Sequence, residues 1–260
     1  VTSLKGSIFE KRTAHGYFIL AAAAGLFVFP GKGPVAANYG LEECRFLRPI
    51  YHNDTIYVRL TCKQKVERDS RGEELPSGIV KWFVEVFDQA DELVAVATIL
   101  TMVRKRSPFI EINRANIENY LARLNENSTP EWGMMTAQHM VEHLETALRM
   151  ATGEIAVTEI KTPAEHLEKV REMIFSHKSM PQMFKHPLMN AETTEPLRHE
   201  SLEAAKTRLL EAFDQYEAFF KTNPEIRTTN AVFGMMDKFE WDLLNIKHIN
   251  HHFKQFGILN

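Results

Sequence analysis

The chain has 260 residues, of which 44% are hydrophobic and 25% are charged, and its formal net charge is −3. This length exceeds the usual size of one domain, about 100–200 residues, so two domains are expected. The negative net charge gives no electrostatic case for nucleic-acid binding, which requires a basic face, so no nucleic-acid partner is expected. Cys44 and Cys62 are too few for a disulfide framework, and we predict small apolar core residues in a cytoplasmic protein.

An apolar run from Tyr17 to Pro30 follows a short basic stretch and so imitates a secretory signal. The run is shorter than the roughly 20 residues that cross a bilayer, and Glu10 interrupts the basic part. We therefore expect no membrane segment. The stretch from Gly16 to Phe27 is apolar nearly all round, which predicts a helix buried on most sides.

Four β-like runs follow the helix. They are Ala36 to Phe46, Asp54 to Gln64, Ile79 to Asp88 and Leu93 to Val103. The second run alternates apolar and polar residues, as a strand with one buried face does, and the polar stretch before Leu93 suits a hairpin loop. A buried helix followed by an antiparallel sheet predicts a layered α+β domain over residues 1–106.

Residues 107–130 are predicted to be a linker, after which the hydrophobic period changes to that of helices. Candidate helices lie at about 131–151, 163–177, 200–222 and 235–256. Four helices joined by loops predict an all-α four-helix bundle over residues 131–260.

Residues 1–106 resemble the MaoC-like hydratase domain, and most closely the form of it in phenylacetate-degradation proteins of the PaaZ type. The resemblance rests on dense local matches: Thr13 to Phe18, Ala23 to Phe27, Gly33 to Val35, Ala37 to Leu41, Arg45 to Pro49, Asp54 to Ile56 and Val58 to Lys63. It implies a hot-dog fold that acts on acyl-CoA thioesters and forms a homo-oligomer through this domain. In proteins of the PaaZ type, the domain opens an oxepin-CoA ring by adding water.

The resemblance places Gly16 at the oxyanion hole of the family, with its backbone N–H as the donor, and His15 beside it in an Ala-His-Gly turn. A helix start suits this role because its first amide groups are unpaired. Two structural alternatives stay open. Gly16 can serve a tight turn alone, and His15 can be a helix-entry histidine bonded to nearby backbone.

Hydration also requires a carboxylate and an imidazole that position and deprotonate water. In the family, these two residues precede the helix, whereas the residues before His15 include no Asp and no other His. We therefore expect a partial hot-dog domain without its catalytic pair. Truncation and true loss of the preceding segment are both open. On its own, the 260-residue chain is expected to be inactive as a hydratase.

Histidines at helical spacing are the second notable pattern. His248 and His252 are one helical turn apart in the last predicted helix, and His139 and His143 repeat that spacing in the first helix of the bundle. Imidazoles on facing helices can hold a divalent metal ion such as zinc or nickel. The alternative is that histidines near a helix C-terminus are favoured by the helix dipole alone.

Residues 131–260 resemble DinB-like bundles through Trp132-Gly133, Met140 to Leu144 and His248 to Gly257. The resemblance implies that the metal ligands are His143, His248 and His252. It does not assign this role to His139 or His251. Some DinB-like proteins use the metal to activate a thiol for transfer to an electrophile. The histidines without such spacing are predicted to lie on the surface: His166, His177, His186 and His199.

Three hypotheses about function follow. The first is a fragment of a CoA-thioester hydratase of phenylacetate degradation with an appended metal-binding bundle. The second is a metal-dependent, DinB-like thiol transferase that uses the hot-dog remnant as a scaffold. The third is a non-catalytic protein in which both domains bind ligands.

Overall fold

The computed structural model describes residues 11–26, 33–69, 74–182 and 194–259, together with residues 6, 8, 9 and 72. The chain divides into two compact units. One comprises Val1–Ser70 with Leu75–Arg106, and the other comprises Arg71–Glu74 with Ser107–Asn260. None of the helices in the described ranges has both the length and the apolar character needed to cross a membrane.

The first unit contains one helix followed by four long strands. The elements are α1 (Gly16–Leu26), β1 (Val35–Phe46), β2 (Ile56–Glu67), β3 (Ser77–Asp88) and β4 (Leu93–Arg104). All neighbouring strands are antiparallel, in the order β1-β4-β3-β2, so β3 and β4 are the central strands. Their sequences are nearly continuous apolar runs because both strands are largely covered, whereas β1 and β2 are mostly exposed. This helix and antiparallel sheet have the arrangement predicted for the hot-dog domain.

The core of the first unit lies between α1 and the sheet. Its fully buried members are Ile19, Ala23, Ile50, Val84, Val86, Val94 and Ala95. Alternate residues of β2 pack against this cluster, namely Ile56, Val58 and Leu60, which confirms the predicted one-sided strand. The predicted hairpin loop is also present, since the side chain of Asp88 accepts hydrogen bonds from the backbone N–H groups of Ala90 and Glu92.

Two expectations about burial in this unit are wrong. The helix α1 buries only Ile19, Leu20 and Ala23, while Tyr17 and Phe18 are 67% and 68% exposed. One face of this all-apolar helix is therefore uncovered by the described residues. The cysteines are not core residues either, because they lie on the two outer strands; Cys62 is exposed and Cys44 is half-buried. The last predicted helix residue, Phe27, lies outside the described residues.

The second unit contains the four predicted helices and two further features. The helices α3 (Ala137–Ala151), α4 (Ala164–Phe175), α5 (Leu202–Thr222) and α6 (Lys238–Gln255) match the predicted ones apart from their ends. The predicted linker contains an additional short helix, α2 (Arg114–Leu121). A two-stranded hairpin, β5 (Thr228–Asn230) with β6 (Gly234–Met236), precedes α6. The unit is therefore mainly helical and not all-α with four helices.

Local sequence explains where the two helices that carry the histidines begin. Thr136 caps α3 and Asp237 caps α6, each through a reciprocal capping box with the residue three positions later. Helix α3 packs against both α5 and α6. One apolar stripe of α5 is buried, and at its end Phe220 is more deeply buried than Phe219. This packing sets one face of α3 opposite one face of α6.

Candidate functional site

Three histidine side chains converge between α3 and α6. His143 lies near the middle of α3, and His248 and His252 lie one turn apart on α6. The Nε2 atoms of His143 and His248 are 2.8 Å apart, and those of His248 and His252 are 3.1 Å apart. One ligand atom from each ring lies within 4.8 Å of the others. Within the described residues, this is a compact cluster of groups able to hold a metal ion.

The geometry of the cluster suits a metal ion. In a tetrahedral zinc centre with Zn–N distances of about 2.0–2.1 Å, the ligand nitrogens lie about 3.3–3.4 Å apart. The two Nε2–Nε2 distances, 2.8 and 3.1 Å, are shorter by a few tenths of an ångström. Small ring rotations about χ angles would open the required space. The ring planes of the three histidines are also steeply inclined to one another, between 68° and 87°, so that their edges meet.

A glutamine on the same helix orients the innermost ring. The Nδ1 atom of His252 lies 2.7 Å from Oε1 of Gln255, which can only accept a hydrogen bond. This contact places the proton of the ring on Nδ1 and leaves the lone pair of Nε2 for the cluster. Gln255 is itself held, because its Nε2 donates to the carbonyl oxygen of Trp132 at 2.8 Å. Metal-bound histidines commonly have such a partner on their other nitrogen.

Burial keeps His252 in the form that binds metal. The residue is 6% exposed. Burial lowers the pKa of His252 well below its ordinary value, and the neighbouring His143 lowers it further, against the opposing effect of the hydrogen bond that His252 donates to Gln255. A neutral imidazole is therefore present at neutral pH, and a neutral imidazole is what coordinates a metal ion. The donor set of three imidazoles fits zinc or nickel and leaves a coordination position open.

The other two histidines of these helices have different partners. His139 belongs to the N-terminal capping box of α3, with its Nδ1 atom 2.7 Å from Oγ1 of Thr136. The ring of His251 packs edge-on against the indole of Trp132 and lines the same cavity as Met180. Neither of them belongs to the three-histidine cluster.

The histidines predicted to lie on the surface differ among themselves. His166 is exposed, but His177 is half-buried, and His186 lies outside the described residues. His199 departs most from the prediction, because its Nε2 atom lies 2.8 Å from Oε2 of the buried Glu145. The sequence shows no spacing that links these two residues, since they meet only when the segment before α5 packs on α3.

The residues predicted for the oxyanion site lie at the start of α1. The carbonyl of His15 accepts the first hydrogen bonds of this helix, from Phe18 and Ile19, so Gly16 is the first helical residue. Its N–H therefore has no acceptor within the helix. The His15 ring is exposed and stacks on Tyr17. A Cβ atom on Gly16 would meet the ring of Phe46 at 2.6 Å, so packing favours glycine at this position.

Sequence reasoning missed two residues that support the histidine cluster, Gln255 and Trp132. The spacing of Gln255, three residues after His252, could have identified it as a neighbour on the helix surface. The contact with Trp132 could not be read from spacing, because the two residues are 123 positions apart.

Comparisons with known proteins identify the first part of the chain. Residues 2–77 match the family model for the MaoC like domain. A relative, Protein MaoC from Klebsiella aerogenes, is 57% identical over 65 residues, which are 25% of this chain and 19% of that protein. The match therefore spans about a fifth of the length of the relative. The N-terminal part of the chain is a MaoC-like dehydratase domain.

Solved structures that are similar to the chain include the following three proteins. A monoamine oxidase regulatory protein from Archaeoglobus fulgius is 30% identical, with 39% of this chain and 67% of that chain covered and a TM-score of 0.33. A MaoC-like dehydratase from Rhodospirillum rubrum is 25% identical, with 39% and 68% covered and a TM-score of 0.33. The R-hydratase PhaJ1 from Pseudomonas aeruginosa is 27% identical, with 41% and 68% covered and a TM-score of 0.28.

Proposed function

We propose that the second unit binds one divalent metal ion, zinc or nickel, through His143, His248 and His252, and uses it in thiol-transfer chemistry of the DinB-like type. The observation that carries this proposal is the convergence of the three rings, whose ligand atoms lie within 4.8 Å of one another. When bound, such an ion supplies Lewis-acid activation of a water or a thiol at its open position.

The residues of the chain have separate roles in this proposal. The three imidazoles bind the ion, and Gln255 holds the Nδ1 proton of His252 so that Nε2 stays available. Because His252 and Gln255 are both buried, they hold this arrangement without competition from water. The half-buried rings of His143 and His248 lie on the more accessible side of the cluster, where a substrate would reach the ion.

The helix-dipole explanation accounts poorly for this cluster. The dipole favours charged histidines within the last turn of a helix. His143 lies near the middle of α3, and His248 lies about two turns before the end of α6. His252 is in the last turn, but burial keeps it neutral, so it gains little from the dipole.

A second candidate function concerns the MaoC-like unit. We propose that it derives from a CoA-thioester hydratase of the PaaZ type, an oxepin-CoA or enoyl-CoA hydratase of phenylacetate degradation, and retains the N–H of Gly16 as an oxyanion donor. The favouring observations are the family match over residues 2–77 and the position of Gly16 as the first residue of α1, whose N–H has no acceptor within the helix. Apolar residues exposed on α1 and β1, among them Phe18 and Tyr39, support self-association of this unit. We further propose that the protein acts in the cytoplasm.

Metal analysis of the purified protein tests the first proposal. We expect one equivalent of zinc or nickel in the wild-type protein and less than about a tenth of that in His143→Ala, because losing one of three ligands removes most of the chelate affinity. His139→Ala is the matched control, one helical turn away on α3, and it should keep the full equivalent. Retention of metal by His143→Ala would refute the proposed ligand set, and loss by both variants would place the site elsewhere.

A further inference from the structure

A separate cavity lies on another face of α6, away from the three histidines. Its volume is about 210 Å³, and its walls come from α6, from the segment that follows α4, and from Phe109 and Trp132. Helix α6 contributes Lys247, His251 and Lys254 to it, residues spaced one turn apart. Neither of the metal-ligand candidates on this helix, His248 and His252, lines the cavity.

The charge of the cavity is positive. Two lysines line it and no acidic residue does. Lys247 is held in place, because its ammonium group donates to the carbonyl oxygens of Ser176 and Lys178 at 2.6 and 2.9 Å. Lys254 is different: within the described part of the chain its ammonium group has no hydrogen bond or ion pair. The cavity therefore offers one fixed positive charge and one ammonium group available for a ligand.

Trp132, one of the residues that line the cavity, also carries an unsatisfied donor. Its indole N–H is buried and has no hydrogen-bond partner among the described residues. A buried donor without a partner costs about 1–3 kcal/mol, so an acceptor from outside the chain would relieve this cost. The carbonyl of the same residue holds Gln255, which restricts where the indole can move.

The other lining residues are aromatic, apolar and polar, since Ser179, Gln182, Asn250 and His251 also line the cavity. Phe109 and Trp132 contribute aromatic rings, and Met180 contributes a thioether side chain. An apolar cavity of about 150 Å³ holds a benzene molecule. The additional volume here, within a total of about 210 Å³, suits a small charged substituent on such a ring.

We propose that this cavity binds a small aromatic carboxylate, whose ring packs between Phe109 and Trp132 and whose carboxylate accepts hydrogen bonds from the indole N–H of Trp132 and the ammonium of Lys254. The site is distinct from the histidine cluster and does not depend on a bound metal ion. Aromatic walls with a few placed donors are typical of small-molecule sites.

Benzoate is a suitable probe, and its binding can be measured by calorimetry on the full-length chain. We expect a Kd on the order of 0.1–1 mM, as befits a ligand of this size. Benzamide has the same shape without the charge, and it should bind about tenfold more weakly because a charge-assisted hydrogen bond is replaced by a neutral one. Inorganic phosphate, an anion without a ring, should also bind at least about tenfold more weakly.

Two variants test the assigned donors. Trp132→Phe keeps an aromatic wall and removes only the indole N–H, and Lys254→Gln removes the ammonium group; each should weaken benzoate binding about tenfold. Lys254→Arg keeps a positive charge, so its affinity for benzoate should stay within about threefold of the wild-type affinity. Lys221→Gln, an exposed lysine on α5, is the matched control and should bind like the wild type.

Three results would overturn the proposal, provided that each variant is folded. Thermal melts of each variant establish that it is folded at the temperature of the titration. Equal affinity for benzoate and benzamide would overturn the proposal, as would wild-type affinity in both Trp132→Phe and Lys254→Gln. Phosphate binding as tight as benzoate would also overturn it, because the aromatic walls would then contribute nothing.

Discussion

The Nδ1 atom of His252 and the Oε1 atom of Gln255 lie 2.7 Å apart, so the glutamine determines which nitrogen of the buried ring carries the proton. This contact makes Gln255 a positioning residue for the histidine cluster. It also connects the cluster to Trp132, whose backbone carbonyl accepts a hydrogen bond from the same side chain.

Replacing Gln255 tests its positioning role. In Gln255→Leu the ring of His252 loses its acceptor, and we expect the affinity for zinc to fall about 10- to 100-fold in competition with a chromophoric chelator. Gln255→Glu still offers an oxygen acceptor and should stay within about tenfold of the wild type. The matched control is Gln215→Leu, at an exposed position of α5. Wild-type affinity in Gln255→Leu would show that His252 needs no partner.

Hydration of enoyl-CoA or oxepin-CoA by the 260-residue chain should not exceed background. Each member of a general acid–base pair contributes about 10²–10⁴-fold to the reaction rate. The residues before His15 include no Asp and no other His that could supply this pair. Spectrophotometric assay of thioester hydration checks this expectation, with His15→Ala as the comparison. Turnover that His15→Ala abolishes would contradict it and make His15 catalytic.

The pH dependence of stability should reflect the buried carboxylate of Glu145. Burial raises the pKa of this group, but hydrogen bonds from His199 and Arg198 outweigh burial and lower it overall. The pKa of Glu145 is therefore lower in the folded state than its unfolded value of about 4.3. The stabilisation that its carboxylate contributes is fully present above about pH 4.3 and is lost as the pH falls through the folded pKa. Glu145→Gln should therefore lower the free energy of unfolding by about 1–3 kcal/mol at pH 7 and by less near pH 3.

Chemical denaturation at several pH values measures this difference. Glu168→Gln, at an exposed position of α4, is the control and should change the free energy of unfolding by less than about 0.5 kcal/mol at any pH. A destabilisation of Glu145→Gln that is the same at pH 3 and pH 7 would show that the charge of Glu145 does not contribute.

Two glycines of α1 should respond differently to alanine. A Cβ atom on Gly16 would meet ring carbons of Phe46 at 2.6 Å, so Gly16→Ala must displace that ring. Because Phe46 is 44% exposed and its ring can move, the cost should be at most about 1 kcal/mol. A Cβ atom on Gly25 meets nothing within 4 Å, so Gly25→Ala should be neutral or stabilise by up to about 1 kcal/mol. Urea denaturation compares the two. Equal effects would mean that Phe46 turns away without cost.

Much of the local structure could be predicted because it depends on short-range backbone geometry. Alternation in β2 and the helical periodicity of α5 each depend on residues a few positions apart, and both predictions are confirmed. The short helix α2 was missed because it has only two buried residues, Ile117 and Leu121, and so shows little periodicity. The β5–β6 hairpin was missed because its strands have three residues each.

The spacing of His248 and His252 by itself determines that two imidazoles share one face of α6, because the helix repeats every 3.6 residues. Spacing could not decide whether His139 or His143 is the third member of the cluster. The two residues are one helical turn apart in α3, so their spacing places both on the same face of that helix. Packing of α3 against α6 decides it: this packing brings together rings that are 105 positions apart and leaves His139 at the helix cap. The Trp132 contact, the exposed face of α1 and the cavity beside Lys254 were likewise decided only by tertiary structure, because they depend on which surfaces meet and which stay uncovered.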